Sequence, residues 1–188
     1  MSRPTLTTHR LVLRPFTVAD APEVNRLVGD RRIADTTLNI PHPYDESMAV
    51  AWIGTHAEAA ERGDSMPLAI TAHDGSLVGA IALAISRAHQ RAELGYWIGV
   101  PHWGRGYATE AAAAMVDYAF RTLGLRRVVA HCLSRNVASA RVMEKIGMRR
   151  EGMLRAHVIK WDVPEDVVLY ALLSDEWSRL TRESGTAR

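Results

Sequence analysis

Short apolar runs bounded by proline, glycine or aspartate dominate this chain, and one long stretch after residue 107 repeats its apolar residues at helical spacing. Leu11, Val12 and Leu13 form a strand signal that Pro15 closes. Thr17, followed three residues later by Asp20, has the form of a helix start with the threonine as cap, and predicts a first helix over residues 20–28. Residues 35–44 contain Pro41 and Pro43 and read as a loop; a second helix follows from Asp45 or Glu46, carries Trp52 and Ile53, and stops at Gly63. Residues 68–72, the turn pair Asp74-Gly75 and residues 77–85 predict an antiparallel hairpin. Residues 92–100 (AELGYWIGV) make a further strand, ended by Pro101.

The most regular helix comes next. Ala108, Ala112, Met115, Val116, Ala119, Phe120 and Leu123 share one face, and Gly124 stands where a helix ends in positive φ. Residues 127–133 form a strand, Asn136 caps another helix that ends at Gly147, and residues 148–159 and 166–173 give two last strands. The order predicts an α+β domain with one mixed, mostly antiparallel sheet.

Composition narrows the function classes. A chain of 188 residues with 47% hydrophobic and 23% charged positions fits one globular domain, placed here at 1–180 with 181–188 (TRESGTAR) as a disordered tail. A single cysteine, Cys132, leaves no disulfide framework within the chain and points to the reducing cytoplasm. The opening MSRPTLTTHR lacks the apolar stretch of a secretory signal, and the longest apolar run, Gly79 to Ile85, is far short of the roughly 20 residues of a membrane span. Neither membrane nor nucleic acid is expected as a partner: the net charge is only +2, although 21 of the 23 basic residues are arginine. The eight histidines show no HxxxH or HxH spacing, so no metal is expected.

The chemistry signal is the junction from Val100 to Glu110, VPHWGRGYATE. A strand runs into a glycine-spaced loop that opens into the best helix. Converging N–H groups and the helix N-terminus make such a loop an anion site, and glycine lets a phosphate approach the backbone. There is no GK[ST], and GxGxxG fails because Thr109 stands at its third glycine. A tight turn that simply needs glycine to start a helix is the bland alternative.

The string Trp103-Gly104-Arg105-Gly106-Tyr107-Ala108 resembles the acyl-CoA diphosphate loop [QR]-x-x-G-x-[GA] of the GNAT superfamily of N-acyltransferases, with Trp in place of the first Gln or Arg. The fuller GYWIGVPHWGRGYATEAA, the opening THRLVLRPFTVAD, the segment SRNVASARVMEKIGMRREG and the ending LYALLSDEW are similar to the branch of Rim-type ribosomal-protein N-terminal acetyltransferases, a resemblance that covers roughly Leu6 to Trp177. The resemblance implies a GNAT fold, a twisted sheet flanked by helices and splayed at the acyl-CoA cleft. It implies transfer of an acetyl group from acetyl-CoA to a primary amine, most simply a protein N-terminal α-amino group, by direct attack in a ternary complex. It also implies a homodimer. A small-molecule amine (polyamine, amino acid or antibiotic) is the rival acceptor; a non-catalytic acyl-CoA-binding regulatory domain is the rival class; an arginine-rich face binding RNA is a third option.

Carried over residue by residue, the resemblance puts the diphosphate on the N–H groups of Arg105, Gly106, Tyr107, Ala108 and Thr109. It puts the pantetheine arm on the main chain of Trp97, Ile98 and Val100, and makes the Ile98 N–H the oxyanion donor. Glu93, on the same strand, is the candidate base, with burial between Ala92 and Leu94 expected to raise its pKa; an outward-facing pair with Arg91 or Arg87 is its plain alternative. Many relatives place a Tyr acid in the helix after the Asn, where this chain has Met143; Ser139 then becomes the candidate donor to the departing thiolate, or a first-turn serine with a structural role. Asn136 is expected both to cap that helix and to touch the coenzyme. Cys132 reads as core, and His157 is a candidate at the acceptor cleft in place of a missing carboxylate.

Overall fold

A computed structural model describes residues 3–186, with side chains through residue 182. The strands β1 (Leu6–Thr7) and β2 (Leu11–Arg14) form a hairpin at one edge. A 3-10 turn, Val18–Asp20, leads into α1 (Ala21–Val28). Asp20 accepts the Thr17 N–H at 2.8 Å and takes both prongs of Arg14. The short α2 (Arg31–Thr36) is capped by Asp30, whose carboxylate accepts the Arg32 N–H at 3.0 Å. Six residues are too few for a periodic signal, so α2 escapes the sequence reading, and it claims the first two residues of the expected 35–44 loop.

The expected helix ending at Gly63 is two helices, α3 (Glu46–Gly54) and α4 (His56–Arg62). Thr55 divides them because its N–H and its hydroxyl both bond the Trp52 carbonyl, at 3.1 and 2.8 Å, tightening the turn. The remaining elements follow the predicted order: β3 (Ser65–Ala72), β4 (Leu77–Ser86), β5 (Arg91–Ile98), α5 (Tyr107–Arg121), β6 (Arg127–Leu133), α6 (Val137–Lys145), β7 (Arg149–Lys160) and β8 (Val163–Leu173). A last helix, α7 (Ser174–Thr186), occupies much of the expected tail; residues 187–188 of that tail lie outside the described residues.

The eight strands form one sheet in the order β1-β2-β3-β4-β5-β6-β8-β7. Every neighbouring pair is antiparallel except β5 with β6, and that parallel pair holds only for Arg91↔Arg127, Ala92↔Val128 and Glu93↔Val129. Beyond Glu93 the two strands diverge. Alternation along the strands feeds two cores. Leu68, Ile70, Ile81, Leu83, Leu94 and Ile98 pack against Met115 and Val116 of α5, whereas Ala69, Ala80 and Trp97 pack on the opposite face with Val24, Leu27 and Ile53. The expected mixed, splayed GNAT-type sheet is the observed one.

Candidate active site

The divergence of β5 and β6 opens a cleft of about 810 Å³ that passes through the sheet. On one face it is lined by the loop before α5 and by α6; on the other by the end of α2, the following loop and Trp52. The register of β5 decides which backbone groups it exposes. Gly99 donates to the Val78 carbonyl at 2.9 Å, and the ladder then pairs Gly79 with Ile98 and Ala80 with Trp97. In an antiparallel ladder bonded and non-bonded pairs alternate. The main-chain groups of Leu94, Tyr96 and Ile98 therefore face away from β4, into the divergence, where β6 no longer meets them.

The register turns two of the expected main-chain contacts in different directions. The main chain of Trp97 is turned to Ala80, and its indole belongs to the core on the α1 side. The Ile98 N–H points into the cleft, as an oxyanion donor must. Its carbonyl is already taken by the Trp103 indole N–H at 2.6 Å. Val100 opens a 3-10 turn and its carbonyl accepts the Trp103 N–H.

Gly104 and Gly106 both adopt positive φ, +74° and +79°, and a Cβ on Gly104 would meet nothing within 4 Å. Gly106 is the N-cap of α5, and no side chain caps the helix. Helical bonding begins with the Glu110 N–H on the Gly106 carbonyl, so the N–H groups of Tyr107, Ala108 and Thr109 have no partner within the helix. Gly106, Tyr107, Ala108 and Thr109 line the cleft; Arg105 does not, and its carbonyl is turned to Arg10. Arg141 and Lys145, one turn apart on α6, line the same side and make no ion pair among the described residues. This end of the cleft suits a phosphate-bearing ligand.

Asn136 caps α6 by accepting the Ser139 N–H at 3.0 Å and donates to the Thr36 carbonyl at 3.0 Å, tying α6 to α2. One amide hydrogen is left for a ligand. Ser139 lines the cleft with its hydroxyl 2.9 Å from the Tyr96 hydroxyl, which also donates to the Ser139 carbonyl at 3.2 Å. A phenol therefore does stand at this point, delivered by β5 rather than by the helix, where Met143 is buried in the core. Burial pushes the Tyr96 phenol up to about 12.

Glu93 also lines the cleft, on the opposite face of β5 from Tyr96. Its partner is neither Arg91 nor Arg87 but His131 of β6, with Nδ1 3.2 Å from its Oε1. The expected upward shift is reversed: the His131 hydrogen bond outweighs burial and holds the carboxyl below its ordinary value. Half the side chain remains exposed, which limits the burial effect. Strand alternation could have paired Glu93 with His131, because His131 lies two residues beyond its register partner Val129. Cys132 is buried in the core and burial raises its thiol, as its strand position predicts. His157 is exposed on β7, outside the cleft lining. Among the described residues no group of three His, Cys, Asp or Glu side chains could hold a metal ion, and no helix is long and apolar enough to cross a membrane.

Residues 10–149 match the description of an acetyltransferase (GNAT) domain. YnaD, an uncharacterized N-acetyltransferase of Bacillus subtilis, is 31% identical over 174 residues, covering 92% of this chain and 99% of that protein. A ribosomal-protein-serine acetyltransferase of Escherichia coli is 32% identical over 103 residues, 54% of this chain and 58% of that protein. Among solved structures, RimL, a ribosomal L7/L12 alpha-N-protein acetyltransferase in complex with coenzyme A, is similar in fold, with a TM-score of 0.85 at 20% identity over 92% of this chain and 99% of that one.

Proposed function

This chain belongs to the GNAT acetyltransferase family and is an acyl-CoA-dependent acetyltransferase, and from that premise we propose that its residues 1–180 act as one domain of the Rim-type branch, moving an acetyl group from acetyl-CoA to a protein N-terminal α-amino group. One observation carries the coenzyme reading: a row of outward main-chain groups on β5 leads to an uncapped helix start with positive-φ glycines. A pantetheine arm pairs with the Leu94–Ile98 side of β5 like an added strand, and the diphosphate sits on the N–H groups from Gly106 to Thr109.

The amine nitrogen attacks the thioester carbon from the Glu93 face. Its surplus proton leaves toward the Glu93 carboxylate, directly or through water, with His131 fixing that carboxylate's position. The Ile98 N–H meets the oxyanion, and the departing sulfur takes its proton on the Ser139 side, where Tyr96 holds the serine hydroxyl. No acyl-enzyme is needed.

The cleft lining favours an acceptor with one ammonium group. Glu93 is its only carboxylate among the described residues, and the amine side is otherwise built from Ile33, Leu38, Ile40, Trp52 and uncharged Thr36, Thr37 and Asn39. A polyamine would need more negative charge. Thiol release measured with a free-α-amine peptide, the same peptide N-acetylated with an internal lysine, a polyamine and a free amino acid tests the assignment. The free-α-amine peptide is expected to give the highest kcat/KM. A faster polyamine or amino acid overturns the acceptor; acetyl-CoA binding without thiol release for any amine points to a regulatory binding domain. The resemblance also supports a dimer, which light scattering at micromolar concentration reads directly.

A further inference from the structure

The opening THRLVLRPF lies wholly outside the cleft lining, and the reaction above gives it no task. Yet two of its residues reach the coenzyme loop. Thr8 and Arg10, in the turn between β1 and β2, close on Glu110 in the first turn of α5. Glu110 Oε1 accepts the Thr8 hydroxyl at 2.7 Å and the Arg10 N–H at 2.8 Å, and Oε2 accepts Arg10 Nε at 2.7 Å. A further guanidinium nitrogen donates to the Arg105 carbonyl at 2.9 Å, and the guanidinium carbon lies 4.9 Å from the centre of the Tyr107 ring. The last nitrogen is 3.4 Å from where a Gly106 Cβ would stand. One planar side chain thus spans the loop from residue 105 to residue 110.

Two physical consequences follow. A trans peptide is planar, so the Arg105 carbonyl and the Gly106 N–H point in opposite directions. Holding the carbonyl on the Arg10 side fixes the Gly106 N–H on the other side of the loop. A glycine bracketed by flexible backbone would otherwise turn that peptide at little cost. Second, Glu110 places a carboxylate within one turn of the N–H groups meant for a diphosphate, and its charge would repel that ligand. Arg10 neutralises it and draws both oxygens toward the β1–β2 turn.

We propose that Arg10 is a positioning residue for diphosphate binding, acting through the Arg105–Gly106 peptide and Glu110 without touching the coenzyme. This rests on the reading of the cleft as an acetyl-CoA site. The test compares two donors in the full-length chain: acetyl-CoA, and acetyl-pantetheine, which keeps the thioester arm and lacks the diphosphate. In Arg10→Met, KM for acetyl-CoA should rise about tenfold, the scale of a lost charge-assisted hydrogen bond, with kcat at saturation kept. The kcat/KM for acetyl-pantetheine should stay as in the wild type. Arg10→Lys, a point charge that cannot hold both Glu110 and the Arg105 carbonyl, should fall between them. Equal losses with both donors, or none with either, overturn the proposal. Should Arg10→Met fail to fold by circular dichroism, Arg10→Lys carries the comparison alone: it keeps a charge beside Glu110, cannot also hold the Arg105 carbonyl, and must raise KM for acetyl-CoA while leaving acetyl-pantetheine unchanged. Calorimetry of wild-type chain with coenzyme A keeps the two ideas apart, since absence of binding there sinks the cleft reading itself.

Discussion

The cleft has two halves built from different materials. Toward the diphosphate it is mainly backbone: outward amides on β5, two positive-φ glycines and an uncapped helix, held from behind by Arg10. Toward the amine it is side chains drawn from distant parts of the chain: Glu93 on His131, Ile33 and Ile40 around α2, and Trp52 packed edge-on against His56 at 4.4 Å. A backbone half recognises what every acyl-CoA shares and has little room for substitution. A side-chain half can change its acceptor by exchanging residues without disturbing the ladder. The first should therefore fail completely when broken, and the second by degrees.

Gly106→Val breaks the backbone half. It puts a β-branched residue at φ +79° and a Cβ 3.4 Å from the Arg10 guanidinium that holds the loop from behind. Strain of about 1–3 kcal/mol, added to the loss of charge-assisted bonds, should weaken coenzyme A binding on the order of 10³-fold by calorimetry. Affinity within threefold of wild type would remove this loop from the site.

On the amine side, Glu93→Gln should lower kcat about 10²-fold with the cognate amine, the low end for a lost general base. Because His131 holds the carboxyl below its ordinary value, it is ionised throughout pH 6–9. The loss should then be the same factor across that window. A loss that shrinks as pH falls from 9 to 6 would mean that the carboxylate takes up its proton there and that the His131 pairing does not govern it.

The wall behind the amine side should show in stability. His56 is 2% exposed, neither ring nitrogen has a hydrogen-bond partner, and burial lowers its pKa to about 4. The folded state keeps it neutral while the unfolded chain takes a proton near pH 6.5. Its contribution is intact above pH 6.5 and is lost as pH falls toward 4, roughly 2–3 kcal/mol between pH 7 and 4.5. Urea midpoints at those two pH values should diverge less in His56→Phe than in wild type; equal divergence would assign the acid sensitivity to the carboxylates.

The same division explains what was legible beforehand. The loop and α5 could be read because glycine spacing and a 3.6-residue period are local facts. Glu93 is a candidate from its strand alone, but its partner lies on β6 and reverses the expected sign of its pKa shift. Trp97 is expected to offer its main chain to the cleft, whereas its even-numbered neighbours face outward there, since one bonded pair fixes the parity of the whole strand and no sequence pattern reveals it. Arg10 and Glu110 are 100 positions apart, and only the fold makes them a pair.

Tyr96 is the finest test, because it joins the halves. Its hydroxyl reaches Ser139 from β5, the strand that also carries Glu93 on its other face. A phenol pushed up to about 12 is still a stronger acid than a serine hydroxyl, so acidity does not choose between the two, and the reading put to the test is that the 2.9 Å contact lets Tyr96 restrain the Ser139 hydroxyl. Tyr96→Phe keeps the ring in the core and removes only that restraint. A hydrogen bond of this kind contributes about 1 kcal/mol, so kcat should fall by five- to tenfold with KM for acetyl-CoA unchanged, while Ser139→Ala falls further. The double variant decides between restraint and independent action. If Tyr96 works through Ser139, removing the phenol from Ser139→Ala costs nothing more, and the two losses are far from additive. Fully multiplying losses would make Tyr96 a proton donor in its own right, and the sulfur side of the cleft would then hold two acids instead of one.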